Sequence, residues 1–240
     1  MQGHRHVDDN PAPVLFQCYL SAVSTRRASG FHAACANKTC RALGFFCVDK
    51  RMTLSKRLFD IVMSLLALLL LTLPMAIIAI VIKAGSPGPV LYWSQRVGRR
   101  GKLFAMPKFR SMRIDTPELA THLLPNPDSF ITPVGAKLRQ TSMDELPQLW
   151  SILVGHMSFV GPRPALYNQH DLIAARAAVG VDELVPGLTG WAQVNGRDEL
   201  PIPQKVELDR QYLVKRSFVF DLRILWLTAT RVLRRSGVSH

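Results

Sequence analysis

From Ile61 to Ile82 the chain is almost wholly apolar, interrupted only by Ser64, Thr72 and Pro74. As a helix this segment would be about 33 Å long, enough to cross a hydrocarbon core. Two details argue against a simple span. Pro74 removes a backbone donor in mid-segment and bends the helix. Lys56 and Arg57 precede the segment, and Lys83, Arg96, Arg99, Arg100 and Lys102 follow it. Basic flanks stay on the cytoplasmic side. A re-entrant hairpin bent at Pro74 satisfies both flanks by dipping into one leaflet and returning. A straight, tilted span with a mild kink is the alternative.

Beyond this segment the periodicity is weaker. Gly85-Ser-Pro-Gly-Pro89 is a turn cluster, Val90–Trp93 a short strand, and residues 95–102 a basic turn. Residues 116–134, rich in Pro, Thr and Asn, predict a surface loop. Helical patterning resumes over Leu146–Leu153 and Ala165–Val179. Phe218 to Arg235 mixes Phe, Leu, Ile and Trp226 with arginines. That composition predicts either an amphipathic helix in a membrane interface or a core-facing helix with a basic solvated side. Together these elements predict an α+β chain, mostly helical, anchored by an N-terminal re-entrant helix hairpin over 52–84. Amphipathic interfacial helices and a small strand element complete the main domain, 85–240.

Residues 1–51 lack sustained periodicity and contain no secretory signal pattern. They read as a disordered extension, or as a mis-called start with Met52 as the initiator. The net charge of +13 is unevenly shared: six Lys/Arg against three Asp/Glu put +3 on residues 1–50, leaving +10 on the rest. The positive field therefore belongs to the main domain and suits polyanions, namely nucleic acid, anionic headgroups or phosphorylated substrates. All four cysteines precede residue 50 and match no zinc spacing. The main domain thus needs no disulfide, which is compatible with a reducing, cytoplasm-facing compartment.

The candidate chemistry centres on Thr141-Ser-Met-Asp-Glu-Leu-Pro147. Asp144 and Glu145 precede Pro147, a residue tolerated in the first turn of a helix. Capping is one reading, with Asp144 as N-cap or Ser142 and Glu145 as a capping box. A catalytic pair at a phosphate-attracting helix start is the other. Arg163, between Pro162 and Pro164, is held stiffly enough for bidentate phosphate binding. Lys108, Arg110 and Arg139 are further phosphate-binding candidates. Gly187-Leu-Thr-Gly190 and Gly196 bracket Trp191, Gln193 and Asn195, and Arg197 follows. These glycines permit either close approach to a phosphate, with Trp191 stacked on a base, or an ordinary pair of turns around a strand. No P-loop, dinucleotide fingerprint, H-E-x-x-H or G-x-S-x-G motif occurs.

At this point the chain resembles a known family, the bacterial sugar transferases, or monotopic phosphoglycosyl transferases. The matching segments are Lys56-Arg-Leu-Phe-Asp60, Lys108-Phe-Arg-Ser-Met112, Leu138 to Pro147, Met157-Ser-Phe-Val-Gly-Pro-Arg-Pro164, Pro186 to Arg197 and Glu207 to Tyr212. They occur in family order from about Met52 onward, and the chain is similar to the short form that starts Campylobacter-type N-glycan assembly. The resemblance implies transfer of a sugar phosphate from a UDP-sugar to undecaprenyl phosphate, with release of UMP. It implies Asp144 as the nucleophile of a covalent intermediate, and Glu145 positioning Mg²⁺ or the acceptor phosphate. Lys108, Arg139 and Arg163 carry over as phosphate binders. It further implies a monotopic enzyme on the cytoplasmic face of the bacterial inner membrane, in contact with lipid and without nucleic acid. A homodimer is compatible with it. The family's re-entrant helix breaks at a Ser-Pro pair, whereas here Leu73 precedes Pro74 and Thr72 lies one position earlier.

Two readings from other classes compete: a membrane-tethered nucleic-acid-binding protein, and a non-enzymatic scaffold of a glycan-assembly complex. The first lacks basic and aromatic residues interleaved on any one recognition element.

Overall fold

The apolar segment lies inside one long element. Helix α1 (Leu54–Gly85) runs for 32 residues with Pro74 inside it, about 48 Å of continuous helix. The computed structural model describes residues 54–117, 127–196 and 200–234. The extension or mis-called start at 1–51 therefore lies outside the described residues, as do Arg197, Arg235 and the centre of the 116–134 loop. Pro74 leaves the Leu70 carbonyl without its usual donor. The Thr72 hydroxyl does not replace it, because it bonds the Leu68 carbonyl at 2.6 Å.

The two sides of α1 face different surroundings. Leu69, Leu70 and Leu73 are each at least 70% exposed. On the other side Ala67, Leu68 and Leu71 pack on Phe104, Met106, Leu149, Ile152 and Met157. Met75, Ile78, Ala79 and Ile82 continue that wall onto Phe109 and Leu138. A helix this apolar on its uncovered side suits a bilayer rather than water, and it is long and apolar enough for a membrane.

Strands β1 (Leu91–Val97) and β2 (Leu103–Phe109) form an antiparallel hairpin, with Leu91 opposite Phe109 and Val97 opposite Leu103. The predicted strand thus extends into the stretch expected to be a turn. The turn itself is confined to 98–102, where Arg100 and Gly101 adopt left-handed backbone at φ 57 and 72. Helix α2 (Pro133–Gln140) emerges from the end of the predicted loop. Thr132 caps it by accepting from the Gly135 amide at 2.9 Å, and Pro133 opens it. Helix α3 (Gln148–Val154) matches the expected 146–153 segment. Helix α4 (His170–Ala178) is shorter than the expected 165–179.

Strands β3 (Ser158–Val160) and β4 (Gly187–Thr189) pair in parallel. Beside them, helices α5 (Ile202–Lys215) and α6 (Phe218–Arg234) close the core around Val160, Val181, Leu184, Tyr212, Leu213 and Ile224. Helix α6 turns Ile224 fully inward while leaving Trp226 70% exposed, so it carries both a core face and an outward apolar side.

One buried ion pair ties the last helices to the rest. Arg176 on α4 donates twice to Asp209 on α5, at 2.6 and 2.9 Å, and both residues are buried. Burial raises the Asp209 carboxyl and Arg176 opposes that shift. Removing one member of such a pair strands a buried charge. Arg176→Ala is expected to lower stability by about 3–5 kcal/mol in urea unfolding. Adding Asp209→Asn should recover part of that loss, and a double variant no more stable than the single one would contradict the account.

Candidate active site

Five of the predicted site residues meet in one cluster. Asp144 and Glu145 lie in a single 3-10 turn between α2 and α3. Ser142 starts the turn in left-handed backbone, φ 55, and makes no side-chain cap. Glu145 is not the partner in a capping box. Its Oε1 accepts from Lys108 Nζ at 2.9 Å and from Arg163 Nη2 at 3.1 Å. The capping reading of this motif therefore fails. Lys108 Nζ also stands 3.8 Å from Asp144 Oδ2. One ammonium thus draws together two adjacent carboxylates whose side chains would diverge on a regular helix.

Each cation arrives from a different element. Lys108 projects from β2. Arg163 follows β3, where Pro162 and Pro164 stiffen it. It is also fixed from outside: Arg176 donates to the Arg163 carbonyl at 2.7 Å, and Arg96 donates to the Pro164 carbonyl at 3.2 Å. Arg139 comes from the last turn of α2, donates to Ser111 Oγ at 3.0 Å, and acts electrostatically on Asp144. Gly135 lets α2 approach the Ser111 backbone so closely that any side chain there would overlap it. Arg110, read as a further phosphate binder, is buried and holds the turn after α1 through Ser86 and Pro87.

The electrostatics separate the two carboxyls. Burial raises the Asp144 carboxyl above the ordinary range; Lys108 opposes this, Glu145 adds to it, and Arg139 and Arg163 oppose it further. Burial acts in the same upward direction on Glu145, but Lys108 and Arg163 outweigh it and hold the group well below the usual carboxylate range. Glu145 is thus the fixed anion of the cluster, contributing stability above the ordinary carboxylate range and losing it progressively as the pH falls from that range into strong acid. Asp144 accepts no hydrogen bond among the described residues and keeps its lone pairs available. Three cations against two carboxylates leave the cluster net positive, a setting for an anionic ligand. Such an arrangement supports attack by a carboxylate on a phosphorus whose charge the cations offset.

The second predicted group is differently engaged. Trp191 packs on Phe220 at 5.1 Å between ring centroids and donates to Gln211 at 3.3 Å. Gln193 donates to the Leu188 carbonyl and Asn195 to the Trp191 carbonyl. The neighbouring glycines also have a local reason. At Gly161, Gly187 or Gly190 a Cβ would collide with the backbone facing it. They let the two strand ends approach each other, so at these positions the glycine pattern reflects backbone against backbone. Residues overlooked in the sequence are Arg176, Asp209 and Ser111, which position others, and Gln148. Gln148 is buried three residues after Glu145, with no partner for its Nε2.

Among the described residues no group of three or more His, Cys, Asp or Glu gathers to hold a metal. Asp144 and Glu145 are the two carboxylates the cluster offers.

Lys108→Met is expected to raise both carboxyl pKa values, since Lys108 lowers each. Carbon-13 NMR titration of the labelled carboxyls reads this directly, and an unmoved Glu145 would show that the pair is not coupled through Lys108.

Comparison with known proteins adds a family match. The bacterial sugar transferase profile aligns with residues 51–235. A UDP-glucose:undecaprenyl-phosphate glucose-1-phosphate transferase of Xanthomonas campestris pv. campestris is 40% identical over 193 residues, covering 77% of this chain and 40% of the relative. An undecaprenyl-phosphate galactose phosphotransferase of Salmonella typhimurium is 39% identical over 200 residues, covering 76% and 41%. The chain thus spans about two-fifths of the length of these two relatives. An exopolysaccharide production protein of Rhizobium leguminosarum bv. phaseoli is matched nearly end to end: 40% identity over 197 residues, 75% of this chain and 96% of the relative.

Proposed function

The chain belongs to the bacterial sugar transferase family, and from that premise we propose that it moves a sugar 1-phosphate from a UDP-sugar to undecaprenyl phosphate, releasing UMP and initiating glycan assembly. The observation that carries the reading is the cluster itself. A buried carboxylate with available lone pairs stands 3.8 Å from a lysine and beside two arginines, and the names of its relatives describe this transfer.

The proposed sequence is two displacements at one phosphorus. An Asp144 oxygen attacks the sugar-bearing phosphorus of the donor, the bond to the bridging oxygen breaks, and UMP leaves. A phosphate oxygen of undecaprenyl phosphate then attacks the same phosphorus and releases the Asp144 carboxylate. Splitting the transfer lets a water-soluble nucleotide depart before a lipid phosphate approaches. Lys108, Arg139 and Arg163 bind the donor phosphates and offset the charge that gathers during each displacement. Glu145, kept ionised at neutral pH by its two cations, holds Lys108 and Arg163 in place. Trp191, Gln193, Asn195 and Arg197 remain the candidate nucleotide and sugar region of this reading.

Magnesium suits the donor set. Mg²⁺ is typically held by one or two carboxylates together with substrate phosphates and water, not by an all-protein cage. Asp144 and Glu145 are the residues that would hold it, and when bound it would neutralise diphosphate charge.

In this reading α1 is a re-entrant membrane element bent at Pro74, and the site faces the cytoplasm. Support comes from the two ends of the helix. Asp60 and Ile82 are both buried against the same domain, and a helix crossing to the opposite side would separate them.

The test is UMP release from the detergent-solubilised protein given Mg²⁺, undecaprenyl phosphate and a panel of UDP-sugars. One donor should support release that EDTA abolishes. Asp144→Asn should reduce turnover by about 10⁴-fold or more with folding intact, and Arg163→Ala by about 10²–10³-fold. Near-normal turnover in Asp144→Asn would end the covalent mechanism.

A further inference from the structure

Gln148 has no part in the reaction steps above, yet it holds an unmet hydrogen-bond donor next to them. It is 3% exposed, and its Nε2 meets no acceptor among the described residues. A donor in that state opposes folding, so its burial calls for a cause. The backbone defines where the side chain lies. The 3-10 turn Met143–Glu145 continues through Leu146 and Pro147, both in right-handed helical backbone, into α3 at Gln148. In such a run a long side chain leans toward the preceding turn and lies over the residues three and four positions back. For Gln148 those residues are Glu145 and Asp144. The burial pattern agrees. Asp144, Gln148, Ser151 and Ile152 form an inward stripe, whereas Trp150 and Val154 on the other side are exposed.

The two carboxylates differ in what they offer this amide. Glu145 is held by Lys108 and Arg163. Asp144 accepts no hydrogen bond among the described residues, that of Gln148 included. A donor and an acceptor that share a turn without meeting are suited to a group that engages both. A phosphoryl group does so: its phosphorus takes the carboxylate oxygen, and one of its non-bridging oxygens accepts from the amide. We propose that Gln148 is a catalytic residue whose Nε2 donates to a non-bridging oxygen of the phosphoryl group transferred through Asp144. This rests on the transfer proposed above. No proton moves in the step. The bond from phosphorus to the bridging oxygen breaks as the bond to Asp144 forms, the electron pair leaves with UMP, and the amide hydrogens stay on nitrogen through both displacements. Gln148 thus adds a directed donor without adding charge to the three cations. Its hydrogen bond strengthens as charge gathers on the phosphoryl oxygens, so it acts on the rate more than on binding of the donor.

Gln148→Met removes the amide and keeps the length of the side chain. It also removes the unmet donor, so the full-length variant in nanodiscs should melt no lower than the parent protein. Its kcat with the UDP-sugar that supports UMP release should fall by about 10²-fold, with the KM for that sugar nucleotide changed by less than about threefold. A lost rate accompanied by a lowered melting temperature would mark a structural amide, and a near-normal kcat an idle one; either result overturns the proposal. A second measurement needs no turnover. In protein labelled with nitrogen-15 glutamine, the Gln148 side-chain signals are assigned by their loss in Gln148→Glu, which keeps the shape of the residue. Sodium pyrophosphate, a probe for the donor phosphates, should move the Gln148 amide protons downfield. The signals of Gln169, whose Oε1 accepts from the Leu166 amide, should stay in place. Unmoved Gln148 signals would overturn the proposal. A protein that shows the shift but releases no UMP would sink the transferase reading while leaving Gln148 a phosphate ligand.

Discussion

The first two turns of α1 set the geometry of everything that follows. Lys56 reaches Asp221 at 2.5 Å and the Val160 carbonyl at 2.9 Å, and Tyr212 donates to the other Asp221 oxygen at 2.7 Å. Arg57 donates to the carbonyls of Ile152 and Leu153, both at 2.7 Å, and so satisfies the end of α3. Asp60 accepts from the Phe159 amide. These three residues hold α3 and β3, the elements on either side of the reactive cluster. Glu145 stands just before α3 and Arg163 just after β3. The side chains that fix the apolar helix to the domain are therefore the same ones that fix the distance between Glu145 and its arginine.

The cluster solves a charge problem in a related way. Asp144 and Glu145 are neighbours in sequence and repel one another when both are ionised. Lys108 and Arg163 settle the conflict by taking Glu145 fully, which leaves Asp144 the less committed anion. Burial pushes Asp144 upward and the cations push back, so its reactivity depends on residues from three separate elements. Arg176 extends the chain of dependence, because it grips both Asp209 and the Arg163 carbonyl. A helix pair distant in sequence thereby steadies the arginine at the site.

Much of this was legible in the sequence where a short motif carries its own chemistry. The Asp-Glu-Leu-Pro run and the Pro-Arg-Pro turn marked Asp144, Glu145 and Arg163, and the apolar run marked α1. The role of its charged start was not legible, since Lys56, Arg57 and Asp60 look like flanking charges until their partners, about a hundred or more residues away, are known. Strand β2 was hidden because Leu-Phe-Ala-Met-Pro-Lys-Phe does not alternate and contains a proline. Helix α2 went unassigned because it is short, carries few apolar residues besides Val134 and Leu138, and starts at the end of the stretch that reads as a loop. The glycines at 161, 187 and 190 show the deeper limit. A close backbone approach leaves the same trace in sequence whether the neighbour is a phosphate or another strand. Arg110 shows it too, since a buried turn-holding arginine and a surface phosphate binder look alike in one dimension.

The two-sided character of α1 bears on the route to a water-soluble version. Deleting the helix as though it were only an anchor would strip one wall from two core clusters and remove the ligands of α3 and β3. Repainting is the better route. The outward row at Leu65, Leu69, Leu70 and Leu73 touches none of those clusters, so hydrophilic residues there would change which solvent the protein prefers while leaving the inner face and its charged root untouched.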